Sequence, residues 1–447
     1  MDSKAISRRS FLVSSTTAIL AGCASGPPKE TAPAIVSTTS ANEKLNIAAI
    51  GAGGKGGSDI RSVARENIVA LCDVDWARAA GSFNAFPNIP KYKDFRIMLE
   101  KEKSIDAVTI STPDHTHAAA AMAAMELGKG VYVQKPLTHT IYEARTLRET
   151  ARRTGVATQM GNQGHSGEGV RRVCEWVWDG GIGDVHEVHI WTNRPVWPQG
   201  IDRPTDTPPV PETLDWDLWV GPSPMRPYHP AYVPFSWRGW WYFGCGALGD
   251  MACHIMDPAN WALKLGEAEG IIGVQAESSP VNNETAPEWS IITFEIPARA
   301  GMPPVKLVWY DGGKQPPRPE GIGDEGLGDG ENGSLFIGDK GMITCGEYGG
   351  SPRLVPRAAM KAYDRPPRSI PKSIGHYREW IAACKGGEPA GSNFEYAAPF
   401  TELVLLGNLA LRSGGKKLEY DREKMAVVNE PDANQFIQMD YRQGWSL

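Results

Sequence analysis

The stretch Asn46–Gly57, NIAAIGAGGKGG, constrains this chain more than any other. Asn46 to Ile50 is a short apolar run that reads as a buried strand. Gly51-Ala52-Gly53-Gly54-Lys55-Gly56 then supplies the spacing G-x-G-x-x-G of a dinucleotide-binding turn. Gly51 permits the tight turn, Gly53 lets backbone approach a pyrophosphate, and Gly56 lets the next helix pack closely on the strand. That helix would aim the unpaired N–H groups of its first turn at the phosphates. A second apolar run, Ile68 to Cys72, ends on Asp73, 22 residues after Gly51, where an acid reaches the ribose hydroxyls of NAD. Asp75 adds a second carboxylate. No Lys or Arg follows Asp73 directly to receive a 2′-phosphate, so NAD is favoured over NADP; Arg78 pulls the other way.

Strand and helix patterns then alternate. Ile105–Ile110 reads as a central parallel strand ending at Ser111-Thr112-Pro113-Asp114-His115-Thr116-His117, followed by an alanine-rich helix over 118–127. Gly130–Val133 is a strand ending at Gln134-Lys135-Pro136. A helix over 141–154 leads to a strand at 157–160 and then Gly161-Asn162-Gln163. Polar residues thus collect at the carboxyl ends of parallel strands, where such sheets bind ligands. The expected cofactor contacts are Gly51, Ala52, Gly53, Gly54, Lys55, Asp73, Ser111, Thr112, His115, Gln134, Lys135 and Gln163. Later strands are expected over 271–294 and 305–310, a hairpin at 334–337 and 341–344, and helices over 376–384 and 399–413, the last returning toward the first domain.

The first 23 residues carry Arg8-Arg9 before a short apolar segment, which reads as a twin-arginine export signal too short to span a bilayer. Leu20-Ala21-Gly22-Cys23 resembles a lipoprotein box that leaves Cys23 lipidated; the other reading is a signal cut elsewhere, with Cys23 removed. Residues 24–44 read as a flexible tether. The expected location is the periplasm or cell envelope, with the membrane reached only through that anchor. Six further cysteines show no C-x-x-C spacing, so no metal or disulfide framework is expected, although Cys245 and Cys253 could meet. His115 and His117 lack a Cys or acidic partner at ligand spacing. With 46 Lys and Arg against 52 Asp and Glu and no basic run, nucleic-acid binding is not expected.

The glycine turn, STPDHTH, the tripeptide Gln134-Lys135-Pro136 and GALGDMACHIMD at 246–257 together resemble the Gfo/Idh/MocA family of glucose-fructose oxidoreductase and inositol dehydrogenase. The resemblance implies an α/β fold. An N-terminal NAD-binding Rossmann domain, here 45–165, would precede a C-terminal α+β domain, 166–447, whose open mixed sheet forms a homo-oligomer interface. It implies oxidation or reduction of sugar and polyol carbons with a nicotinamide cofactor. Lys135 matches the family's E-K-P lysine, near nicotinamide and the reacting hydroxyl; Gln134 stands where the family usually has Glu. Asp250 and His254 match a D-x-x-x-H pair, four apart and so on one helix face, with His254 the general base and Asp257 one turn further. The expected catalytic set is Lys135, Asp250 and His254.

Ten of the 15 tryptophans fall within 176–261, and Trp237–Phe243 immediately precedes the catalytic helix. Most must be core, yet flat rings suit the C–H faces of sugars. The expected substrate contacts are Lys135, Asn162, Arg238, Trp240, Trp241, Asp250 and His254. Three functions fit: an exported NAD-dependent carbohydrate oxidoreductase with tightly held cofactor; a glycosidase that oxidises, eliminates, hydrates and re-reduces; and a non-catalytic sugar-binding lipoprotein, against which the retained Asp73, Lys135, Asp250 and His254 argue. Replacing Arg8 and Arg9 by Lys is expected to leave the protein in the cytoplasm, which cell fractionation checks. Mass spectrometry of the exported protein should find a lipidated Cys23 at its N-terminus.

Overall fold

The computed structural model describes residue 40 and residues 43–447. The paired arginines, the apolar segment, Cys23 and nearly all of the tether lie outside the described residues.

The first layer is built by strand–helix alternation: β1 (Asn46–Ile50), α1 (Lys55–Val63), β2 (Asn67–Cys72), α2 (Trp76–Ala85), β3 (Lys91–Tyr92), α3 (Phe95–Lys101), β4 (Ala107–Ile110), α4 (Asp114–Glu126), β5 (Gly130–Val133), α5 (Ile141–Thr154) and β6 (Thr158–Met160). The strands form a parallel sheet in the order β3-β2-β1-β4-β5-β6. β4 and β5 are buried throughout, as strands covered by helices on both faces must be. The order reverses between β1 and β4, and the crevice beyond their carboxyl ends is where a doubly wound sheet takes its ligand. There Gly51 N donates to Cys72 O and Ser111 N to Ile50 O, drawing the glycine turn and the end of β4 together.

The chain continues through α6 (Glu168–Trp178), β7 (Val185–Trp191), α7 (Trp216–Val220), α8 (Gly246–Ile255) and α9 (Asp257–Ala262). Next come β8 (Ile271–Ser278), β9 (Ser290–Ile296), β10 (Val305–Tyr310), β11 (Gly333–Gly338), β12 (Gly341–Cys345), β13 (Arg353–Val355) and α10 (Arg357–Ala362). It closes with α11 (His376–Cys384), α12 (Phe394–Arg412), β14 (Leu418–Asp421) and β15 (Ala426–Val427). The second sheet runs β13-β12-β11-β7-β10-β9-β8-β14-β15, with β7 and β10 parallel and its other pairs antiparallel. It is therefore mixed, as expected.

α12 is buried on nearly every side, the mark of a helix enclosed by other elements rather than one lying on a surface. Glu395 on it receives Arg148 and Arg152 of α5, and Glu402 receives Arg145, so the helix does return to the first domain. Partly exposed pairs of this kind contribute about 1 kcal/mol or less each; the aliphatic side chains from Leu403 to Leu411 hold the helix. α11 returns as well: Trp380 shares a small core with Leu45, Ile47 and Tyr132.

Two helices begin earlier than their sequence pattern predicts. α4 starts at Asp114 because Pro113 sets its N-cap and the Asp114 carboxylate stands in the first turn. α12 starts at Phe394, capped by Asn393, whose side chain accepts from Glu395 N at 2.9 Å; Pro399 lies inside the helix instead of opening it. Cys245 and Cys253 do not form a disulfide.

Gly56 shows how tightly the turn is closed: a Cβ there would stand 1.9 Å from the Gly51 carbonyl oxygen, a backbone atom that cannot step aside. Gly56→Ala is expected to destabilise the fold by about 1–3 kcal/mol or more and to abolish nucleotide binding, as thermal unfolding with and without NAD will show.

Candidate active site

A cavity of about 480 Å³ runs from the glycine turn to α8. At its nucleotide end stand Gly51, Gly53, Gly54, Lys55, Asp73, Ser111 and Thr112. A Cβ on Gly51 would meet Ser111 O at 2.5 Å, and one on Gly53 would meet the Arg78 side chain at 2.5 Å, so both positions need glycine for the turn to pack against the end of β4 and against α2. Asp73 Oδ2 accepts from Ala52 N at 2.8 Å and Gly53 N at 3.0 Å, and Oδ1 from Asp75 N at 2.9 Å. The carboxylate thus braces the turn as well as lining the cavity. Burial pushes its carboxyl up from the ordinary value, with the three backbone donors pulling back. Asp75 caps α2 by accepting from Arg78 N, and Arg78 lies along the turn. Turn, acid and helix N-terminus fit the diphosphate and ribose of NAD.

Gln134 faces Asp59, a fully buried carboxylate on α1. Asp59 Oδ2 accepts from Gln134 Nε2 at 2.9 Å and Ser111 Oγ at 2.7 Å; Oδ1 accepts from Tyr377 OH at 2.6 Å and pairs with Lys55. A glutamate at 134 would set two carboxylates against each other, whereas the glutamine amide donates. The negative charge missing from 134 is supplied one helix away.

At the chemical end, Lys135 Nζ donates to Asp250 Oδ1 at 2.7 Å and to Asp250 O at 2.5 Å. Arg238 Nε donates to the same Oδ1 at 2.9 Å, and Arg194 Nε stands 3.8 Å from Oδ2. Burial alone would raise the Asp250 carboxyl; Lys135 and Arg238 overcome it and hold the group well below the ordinary range, permanently ionised. His254 lies one turn along α8 and lines the same cavity. Burial, reinforced by Lys135, pushes its pKa far down, so the ring is neutral, and its Nδ1 has no hydrogen-bond partner among the described residues. A neutral imidazole offers a lone pair that can accept a proton, and the ammonium beside it can hold an oxygen that turns anionic.

The three expected catalytic residues therefore converge, as do the expected cofactor positions with two exceptions. Ala52 is buried behind the turn and contributes only its backbone N–H. His115 is a core residue: its ring nitrogens meet Phe243 O and Trp219 O, and burial pushes it down to about 4. His117 is likewise consumed by Pro136 O and Thr112 O. Among the described residues no group of three or more His, Cys, Asp or Glu is placed to hold a metal.

Three expected substrate contacts are displaced. Asn162 is buried away from the cavity, donating to Asp257, which also meets His165 and Tyr396. Trp240 is fully buried with its indole on Ala231 O. Trp241 donates to Asn282 O and lines a different cavity. The aromatic wall is instead Phe235, Trp237, Trp219 and Tyr348. Arg238 is where it was expected, its guanidinium 4.2 Å from the Trp237 ring and 4.4 Å from Phe235.

Sequence reading missed Asp59, Arg194 and Tyr348, which reach the site from outside the motifs. It also gave Asp114 no role at the site. Asp114 is buried and accepts from Cys245 N at 3.1 Å. Burial pushes its carboxyl up to about 7, with Arg238 and Lys135 opposing.

Residues 45–162 match the oxidoreductase family Gfo/Idh/MocA, NAD-binding Rossmann fold, and residues 191–300 match that family's C-terminal alpha/beta domain. Levoglucosan dehydrogenase of Pseudarthrobacter phenanthrenivorans is 26% identical over 195 residues, 43% of this chain and 41% of that protein. Inositol 2-dehydrogenase 1 of Saccharopolyspora erythraea is 34% identical over 101 residues, 22% of this chain and 30% of that one. The chain thus matches less than half the length of these curated relatives. The crystal structure of the WlbA dehydrogenase from Bordetella pertussis in complex with NADH and UDP-GlcNAcA superposes with a TM-score of 0.58 at 16% identity, covering 83% of this chain and 98% of that one. At that identity the likeness establishes the fold.

A carboxyl raised from 3.8 to about 7 keeps its proton in the folded state where the unfolded chain releases it. The stability it contributes is full below about pH 4 and is lost as pH rises through 7. Asp114→Asn cannot titrate, so its stability relative to the parent should climb from pH 4 to pH 8 by on the order of 2–4 kcal/mol. Denaturant unfolding of the pair across that range checks it.

Proposed function

Because the chain belongs to the Gfo/Idh/MocA oxidoreductase family, we propose that it is an NAD-dependent dehydrogenase that oxidises a secondary hydroxyl of a sugar, polyol or glycoside to a ketone. The observation that carries this reading is the Lys135–Asp250 ion pair with His254 one helical turn away, on the wall of a cavity continuous with the glycine turn. NAD, when bound, supplies the hydride acceptor.

The chain's own residues do the rest. The substrate hydroxyl loses its proton to His254, whose ring burial keeps neutral with a nitrogen lone pair to accept it. Lys135 spends two of its three N–H bonds on Asp250, leaving the third for the substrate oxygen. That contact strengthens as charge grows on the oxygen, and such differential binding lowers the barrier. Asp250 keeps the ammonium in place, and Arg238 keeps Asp250 in place. The named activities of the relatives, levoglucosan and inositol dehydrogenases, support a cyclic polyol as substrate.

We further propose that the enzyme is exported and retains its nucleotide through the catalytic cycle. Arg8-Arg9 and the Cys23 box support export. Outside the cytoplasm no pool of free NAD is available, so a working dehydrogenase there must reset its cofactor on the enzyme.

His254→Ala and Lys135→Ala should each lower kcat by about 10²–10⁴-fold with NAD affinity preserved, measured with levoglucosan, myo-inositol and glucose as trial substrates. Protein purified without added nucleotide should carry NAD and show only a transient reduced-nicotinamide signal during turnover. Steady accumulation of free NADH from added NAD would overturn the retained-cofactor reading. Cleavage of a glycoside with no net NADH would instead establish the redox-assisted glycosidase.

A further inference from the structure

The loop between β12 and β13 runs Gly346-Glu347-Tyr348-Gly349-Gly350, and Tyr348 has φ 59° and ψ 22°. That is the left-handed region, where a side chain is disfavoured and glycine is at ease. Glycine occupies three of the four neighbouring positions, yet an aromatic residue sits at this one.

Three contacts say what the ring is for. It meets the His254 imidazole at a centroid distance of 4.6 Å and an interplanar angle of 69°. It lines the cavity beside Lys135, Arg194 and Asp250 while remaining 44% exposed. The first domain makes space for it: a Cβ at Gly164 would stand 2.9 Å from both Cα and Cβ of Tyr348. An unfavourable backbone, a cleared seat and an exposed ring against the proton acceptor are joint features of a functional residue, since strain of this kind survives where surrounding structure enforces it.

We propose that Tyr348 is a substrate-contact residue that positions the ring of a cyclic sugar or cyclitol, its aromatic surface packing on the substrate's C–H face so that the reacting hydroxyl meets His254. The inference rests on the dehydrogenase reading and adds a specificity determinant supplied by the second sheet. Acyclic polyols, which present no flat C–H face, are discriminated against by the same contact.

The test uses the full enzyme with levoglucosan, myo-inositol, glucose and the acyclic polyol sorbitol. Tyr348→Gly relieves the backbone, so its Tm should stay close to the parent's or exceed it, with unchanged NAD affinity. Its KM for the best cyclic probe should rise roughly tenfold or more, with kcat changed much less, the signature of lost binding shared by ground and transition states. Tyr348→Phe should keep the parent KM, and Tyr348→Leu, which keeps bulk without the flat ring, should behave like the glycine variant. Preference for cyclic over acyclic probes should collapse in both weak binders. A glycine variant with parental KM and preference overturns the proposal, as does one that loses Tm and NAD binding together, which marks a structural plug. Parent enzyme that neither reduces NAD with any probe nor is stabilised by any overturns the dehydrogenase reading and this inference with it.

Discussion

The site depends on one buried ion pair. Lys135 follows a strand of the first sheet and Asp250 lies in α8, between β7 and β8 of the second sheet in the chain, so their contact joins the two parts of the fold at the centre of the candidate site. Both side chains are largely withdrawn from water, with 14% and 10% exposure. Removing one partner of such a pair leaves an uncompensated charge and costs about 3–5 kcal/mol. Arg238 and Arg194 add positive charge around the same carboxylate, and their field also depresses proton affinity nearby. Two groups with strongly shifted protonation, His254 downward and Asp114 upward, flank this centre. For Asp114 the cations oppose the shift, so its elevation measures how dry the place is; for His254 burial and Lys135 act together. A dry, positively charged pocket with a neutral base suits a reaction in which a hydroxyl oxygen turns anionic before its hydride departs.

How far this was legible in the sequence follows from the range of each interaction. The glycine turn, Asp73, Lys135 and the D-x-x-x-H pair are local patterns whose spacing fixes geometry: a strand end, a tight turn, one face of a helix. The first three converged because a doubly wound sheet brings all strand ends to one edge, and α8 carries the pair to that edge through the Lys135–Asp250 contact. Asp59, Tyr377 and Tyr348 are distant in sequence from the atoms they serve, and no periodicity marks them. The signals available were faint: an acid in an otherwise unremarkable helix turn, and a lone tyrosine in a run of glycines. His115 misled for the opposite reason. It belongs to a polar motif at a strand end, but as the second residue of α4 its ring turns inward onto two backbone carbonyls.

Gln134 shows why a departure from a motif has to be read in three dimensions. Replacing an acid by its amide removes a charge from the strand end, and in sequence this looks like a loss. The fold restores it from α1, where Asp59 gathers donors from four elements: Lys55 in its own helix, Ser111 after β4, Gln134 after β5 and Tyr377 in α11. A buried carboxylate with this many donors is electrostatically satisfied, and the amide at 134 is one of the donors that satisfy it. The same network ties α11, late in the sequence, to the first helix of the nucleotide domain. The nucleotide end is therefore not independent of the C-terminal third of the protein.

The tryptophan-rich segment carries the same point for apolar groups. Trp237, Trp240 and Trp241 are nearly adjacent, and composition gives each an equal claim on a sugar. The short helical turn at 236–239 ends between them. Trp240 points into a closed aromatic cluster with Tyr232 and Phe243, Trp241 lines the other cavity beside residues of α12, and only Trp237 remains at the wall of the site, against the Arg238 guanidinium. What decides among them is a change of backbone direction over three residues, which one-dimensional pattern does not encode. The aromatic surface that does face the chemistry is completed from across the domain joint, by a residue whose backbone conformation a glycine would adopt more readily. The site is thus assembled from both parts of the fold: the first sheet brings the nucleotide turn and the ammonium, and α8 with the loop after β12 brings the carboxylate, the imidazole and Tyr348.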